Sequence, residues 1–210
     1  FYFLSLELSK KDFGALNWSL AVFLSVFSLA SFGFDQIIIK KAASGEPPEE
    51  LLSLHLFHVL VSGIFFYGFL LTLFAFIGDA IPYPQLFLYL GLGKLLLFFS
   101  TPFKSIAAGR EQFRVLLWMS VSSSLLKAAF IISFAWTGTV SLSTVIPVFV
   151  LADASELALG FFLARKRLHL NIARSCPFQD YLQFLKASLP QAGTVLFTSA
   201  LSRIDWILLG

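Results

Sequence analysis

The chain has 210 residues, of which 58% are hydrophobic and only 13% charged, with 26 phenylalanines and a mean hydropathy of +0.84. Soluble domains are about half apolar and about a quarter charged, so this composition describes a protein built for a bilayer. The formal net charge of +3 comes from a few basic connections between long apolar runs, not from one basic face, which argues against nucleic acid and acidic substrates as partners.

The sequence starts inside an apolar stretch, FYFLSLELS, with no basic leader or small-residue cleavage site, and it stops within another, so it reads as an internal piece of a longer protein. A spanning helix needs about 20 apolar residues. Phe1 to Leu8 is the tail of such a span, and Ala15 to Phe32 is the first full one. Asn17-Trp18-Ser19 matches a glycosylation acceptor there, but at the edge of a span it would be out of reach of the transferase. GEPPEE, Gly45 to Glu50, joins paired prolines to acids and predicts an exposed turn. Further spans are expected at Leu54 to Ile77, Leu86 to Ala107, Val115 to Trp136, Val145 to Ala164 and Leu189 to Gly210. Before the last of these, Phe178 to Ser188 places Tyr181, Phe184 and Leu185 at helical spacing beside basic residues, as in a short interfacial helix.

Lysine and arginine concentrate in alternate connections: Lys40 and Lys41; Lys104, Arg110 and Arg114; then Arg165, Lys166, Arg167, Arg174 and Lys186. DAIPYP and TGTVSLST carry none, and only Lys10 and Lys11 run against the pattern. Basic short loops stay cytoplasmic, which puts the parent N-terminus on that side.

Ionisable groups within spans are costly and point to function: here Lys94, Lys127, Asp153, Glu156, Arg203 and Asp205. Ser120, Ser123 and Ser124 lie seven, four and three residues before Lys127 and share its helix face, either lining a wet cavity or packing helix on helix while Lys127 snorkels. Asp153 and Glu156, three apart, share a face; they suit a coupling cation or a cationic partner such as Lys127, or a salt bridge that orders the bundle. Arg203 and Asp205 are two apart, about 200° around a helix, so each needs a partner elsewhere, and Thr198, Ser199 and Ser202 extend the polar surface around them.

Other patterns carry little. Lys94 in GLGK lacks the first glycine and the following Ser or Thr of a phosphate loop. His55 and His58 have no third metal ligand in view, and the lone Cys176 reads as a structural thiol. No catalytic constellation, metal set or cofactor motif is present in the sequence, so an enzyme has no positive support.

KKDFGALNWSLAVFLSVFSLASFGFDQIIIKKAA (Lys10 to Ala43), PFKSIAAGREQFR (Pro102 to Arg114) and SLPQAGTVLFTSALSRIDWILLG together resemble bacterial polysaccharide-unit flippases of the polysaccharide transporter family. That family belongs to the superfamily of multidrug, oligosaccharidyl-lipid and polysaccharide exporters. The resemblance implies an all-α, polytopic protein with two six-helix lobes around a cavity that opens to one side at a time. Residues 1–175 would form the first lobe, with a partial first helix, and 176–210 the interfacial helix and first helix of the second lobe. The implied cargo is an undecaprenyl-diphosphate-linked oligosaccharide, carried across the bacterial inner membrane for O-antigen, capsule or exopolysaccharide synthesis. Membrane lipids, a polysaccharide polymerase and a chain-length regulator are the implied partners. Lys127, Arg203 and Lys94, with Ser120, Ser123 and Ser124, are then cavity candidates for the diphosphate, and Asp153, Glu156 and Asp205 candidates for ion coupling. A drug/cation antiporter of the same superfamily would instead need an anionic cavity, and a membrane scaffold would pair every buried charge. Three membrane cations against three acids leave charge counting neutral between them.

Overall fold

The computed structural model describes residues 2–77, 84–170 and 178–209, the side chains of Ile77, Gln85 and 199–209 aside. Among the described residues the regular structure is eight helices: α1 (Tyr2–Glu7), α2 (Lys10–Ala30), α3 (Phe34–Ala43), α4 (Pro48–Ile77), α5 (Pro84–Gly109), α6 (Phe113–Trp136), α7 (Leu142–Lys166) and α8 (Phe178–Leu209). Of these, α2, α4, α5, α6 and α7 are long and apolar enough to cross a membrane. The chain is an all-α, polytopic membrane protein, as its composition requires.

Local chemistry sets the helix ends. The Ser9 hydroxyl accepts the Asp12 N–H at 3.1 Å, which caps α2, and Asp12 itself suits the positive end of the helix. After Ala30 the chain turns through Phe32 (φ 52) and Gly33 (φ 75) into α3, a helix where the sequence suggested only a connection. Gly45, at φ 89, then opens the expected turn, which Lys41 braces by pairing with Glu46 at 2.6 Å. The turn is shorter than expected. Pro48 begins α4, well before Leu54, because proline at the first helical position loses no hydrogen bond and Glu49 and Glu50 favour the first turn.

Helix α5 is the centre of the bundle and packs against α7, α4, α3, α2 and α6. It reaches Gly109, so Lys104 lies inside a helix and not in a connection as the sequence suggested. A Cβ at Gly109 would stand 2.5 Å from the Ala42 Cβ and 2.7 Å from the Ile39 carbonyl oxygen, so glycine is what lets α3 lie directly on the end of α5. Phe23, Phe27, Leu90 and Phe98 belong to one buried apolar cluster, and Ile38, Leu52, Ile106, Met119 and Ala164 to another.

The expected break between an interfacial helix and a last span is absent: α8 runs unbroken through Pro190. A proline removes one backbone hydrogen bond, and packing against α2 and α3 holds the helix across it. The docking point on the α2–α3 turn is narrow. A Cβ on Gly33 would fall 2.6 Å from the Gln191 Cβ and 3.0 Å from its carbonyl carbon. Gly33→Ala therefore combines left-handed strain with collision against α8. It should cost about 2 to 4 kcal/mol, read as a lowered melting temperature in detergent, whereas Gly14→Ala, with open space around it, should leave the melting temperature unchanged.

Candidate functional site

The site grows from one face of α7. Asp153 and Glu156 are three residues apart and both are buried, at 0% and 4% exposure. Neither could sit there ionised without a counter-charge. Lys94 of α5 donates to one oxygen of Asp153 at 2.6 Å, and Lys127 of α6 donates to the other at 2.6 Å. Lys104, also on α5, forms an ion pair with Glu156. Two lysines on one carboxylate thus tie three helices together, and three ammonium groups face two acids.

Phe149, one turn before Asp153 on α7, completes the arrangement. The Lys94 and Lys127 ammonium groups lie 5.8 and 5.4 Å from its ring centroid. The ring face offers each a weak attraction in place of water. Gly93 permits the close approach of α5: a Cβ there would already touch Val150 at 3.3 Å and the Asp153 carboxylate at 3.4 Å. The two lysines differ in access, since the Lys94 side chain is 6% exposed and that of Lys127 is 23% exposed.

Lys94 also borders a cavity of about 180 Å³ shared with Ser28, Ser31, Thr101 and Asp35. Asp35, in the first turn of α3, stands 3.2 Å from Nε2 of the fully buried His55 and accepts a hydrogen bond from Ser105 at 3.2 Å. Burial pushes the Asp35 carboxyl up, but His55, Ser105 and Ser31 outweigh it and hold its pKa below the ordinary carboxylate value. A depressed carboxylate pKa stabilises the fold above the unfolded value and loses that contribution as pH falls through the folded one. His58, one turn on, lies flat on Phe34 with ring centroids 3.8 Å apart; its Nε2 is 3.0 Å from the Ala30 carbonyl and its Nδ1 3.2 Å from the Tyr181 hydroxyl. His58 is thus packed and bonded as a structural group, His55 is held by its approach to Asp35, and Tyr181 carries the packing to α8. Tyr181→Phe should cost about 1 kcal/mol, seen as a small fall in melting temperature with no change in helix content.

The structure unites Lys94, Lys127, Asp153 and Glu156 in one network. It divides the serines: Ser123 is buried, while Ser120 and Ser124 are exposed on the same side of α6 as Lys127. Arg203 and Asp205 lie in α8, but their side chains fall outside the described residues, as does Cys176. Sequence reasoning missed Phe149, Lys104 as the partner of Glu156, and the Asp35–His55 pair. Among these, Lys104 had a signal: it follows Lys94 by ten residues, about 80° short of three full turns, so the two share one side of α5.

Five helices long and apolar enough to cross a membrane, with a polar network of lysines and acids between them, define a multi-pass membrane protein. The family model for polysaccharide biosynthesis proteins matches residues 1–210, and the chain belongs to that family. No match was found among curated proteins or among solved structures.

Proposed function

We propose that this chain is part of a transporter, not an enzyme, that moves an undecaprenyl-diphosphate-linked oligosaccharide from the cytoplasmic to the outer leaflet of the bacterial inner membrane by alternating access. The observation that carries the reading is the sharing of Asp153 by Lys94 and Lys127. Every charge in the network is paired, as a membrane scaffold would also have it, and what favours transport is the sharing of one acid by two cations. Here the described network holds one ammonium more than it holds carboxylates, and the least buried of its two Asp153 partners, Lys127, is the one beside exposed Ser120 and Ser124.

A diphosphate bearing sugars is strongly hydrated, so bare passage through hydrocarbon is prohibitive, while a wet cavity with lysine donors replaces part of that hydration. Lys127 can turn from Asp153 to a phosphate without stranding the carboxylate, because Lys94 stays on it. The lipid tail remains in the bilayer. Rocking of this lobe against a second one would then change the side to which the cavity opens. Asp153 and Glu156 are both engaged by lysines, so a coupling cation at either must displace an ammonium group. A drug/cation antiporter fits less well, since these acids are not free to govern the cavity.

Polysaccharide polymerase and chain-length regulator proteins would act on the delivered units. The basic connections favour a cytoplasmic N-terminus for the parent protein. The test is complementation: the full-length protein is expressed in a bacterium lacking its polysaccharide flippase, and lipid-linked oligosaccharide in the outer leaflet is measured. Export supports the reading. Well-inserted protein that exports no matched oligosaccharide but effluxes cationic drugs would overturn it.

A further inference from the structure

Outside the lysine network, the ends of α6 and α7 form a second polar feature. A groove of about 540 Å³ opens between them, lined at its polar end by Gln112, Arg114, Lys166 and Arg167 and along its wall by Trp118 and Phe162. The wall faces outward: Trp118 is 62% and Phe162 54% exposed, in a protein whose outward apolar faces meet lipid. Among the described residues no acid lines the groove, and none of its three cations is held in an ion pair, Lys166 lying instead over the Phe162 ring at 5.3 Å.

The charges are arranged with a deficit. Lys166 and Arg167 end α7, where positive charge offsets the negative end of the helix dipole. Arg114 does the reverse. It sits in the first turn of α6, a 24-residue helix with no acidic residue in that turn and no side-chain cap from Gln112, so a cation stands at an already positive helix end. An anion in the groove offsets the positive end of α6 and its Arg114, with Lys166 and Arg167 as further donors, and arginine forks match phosphate oxygens in pairs.

We propose that this groove binds the phosphate headgroup of an anionic phospholipid, with one acyl chain lying against Trp118 and Phe162. Charge at the interface end and aromatic surface along the bilayer wall fit an amphiphile better than a free anion, which would leave the wall uncovered. By the basic-loop pattern the lipid comes from the cytoplasmic leaflet. The inference does not depend on the cargo. It asks only that the protein be in a membrane.

The test uses the full-length protein in a non-ionic detergent and counts bound lipid by native mass spectrometry. Dioleoylphosphatidylglycerol, dioleoylphosphatidylcholine, undecaprenyl diphosphate and inorganic pyrophosphate are offered separately. Phosphatidylglycerol should bind one per protein, at least tenfold more tightly than phosphatidylcholine, and pyrophosphate at millimolar concentration should not displace it. The triple variant Arg114→Gln, Lys166→Gln, Arg167→Gln should fall to the phosphatidylcholine level. Arg114→Lys with Arg167→Lys should keep binding within a few-fold, and a control triple at exposed Lys10, Lys40 and Lys186 should bind as the parent does. Equal binding of the two phospholipids, equal loss in the control triple, or displacement by pyrophosphate would overturn the proposal. So would a tenfold preference for undecaprenyl diphosphate, which would assign the groove to cargo, or no lipid bound, which would mean another segment of the protein covers it.

Discussion

Asp153→Ala is expected to remove most of the folded protein from the membrane. The carboxylate is completely buried and each of its oxygens takes an ammonium group at 2.6 Å. Its removal leaves Lys94, itself nearly buried, with no acid partner and Lys127 with only the Phe149 ring. Breaking a buried pair by deleting one partner costs about 3 to 5 kcal/mol, because the remaining charge is stranded. Much of the stability of an ordinary domain would be spent.

The same physics predicts a rescue. Asp153→Asn with Lys94→Met and Lys127→Met exchanges the ionic cluster for neutral groups of similar volume, and such exchanges are often neutral in stability. Immunoblotting of membranes and melting in detergent should show Asp153→Ala depleted and the triple variant near the parent level. Normal levels of the single variant would show that Asp153 is not the buried hub described here. Recovery of the triple variant in amount but not in export would separate the structural role of the charges from their role in transport.

Length and apolarity made α2, α4, α5, α6 and α7 legible as spans, since few segments outside a bilayer satisfy both. Helix α3 was hidden for the opposite reason: at ten residues, with Lys40 and Lys41 in its last turn, it is too short and too polar to stand out from a connection. The interfacial segment and the last span were expected as two elements, yet α8 runs unbroken through Pro190, where α2 and α3 pack against it.

In the site, the shared face of Asp153 and Glu156 follows from their spacing, and Lys127 was a foreseeable partner. Which lysine serves which acid was not foreseeable. Lys94 and Lys104 lie ten residues apart on α5, farther than the two acids on α7, and only the reach of the lysine stems closes the mismatch. That geometry depends on how closely α5 approaches α7, which Gly93 sets by an absence of side chain. Asp35 and His55 are brought together after the turn at Phe32 and Gly33, a backbone event with no periodic signature.

Lys127→Met should lower export of lipid-linked oligosaccharide more than tenfold while membrane levels of the protein stay near those of the parent. The reason is asymmetry within the shared pair. When Lys127 is lost, Asp153 keeps Lys94 at 2.6 Å, so no buried charge is left alone. When Lys94 is lost, Lys127 remains on Asp153, but a nearly buried side chain packed between α5 and α7 has been exchanged, so Lys94→Met should act more on protein level than on export per molecule. Lys127→Arg keeps the charge and should restore part of the export, though its planar fork cannot reproduce a single ammonium contact over Phe149. The comparison is made in the flippase-deficient strain, dividing outer-leaflet oligosaccharide by immunoblotted protein. If Lys127→Met exports as the parent does, the surplus ammonium is not a cargo ligand and the pairing on Asp153 is structural. If both methionine variants lose protein but neither loses export per molecule, the lysines hold the bundle together and the diphosphate must be met by other groups.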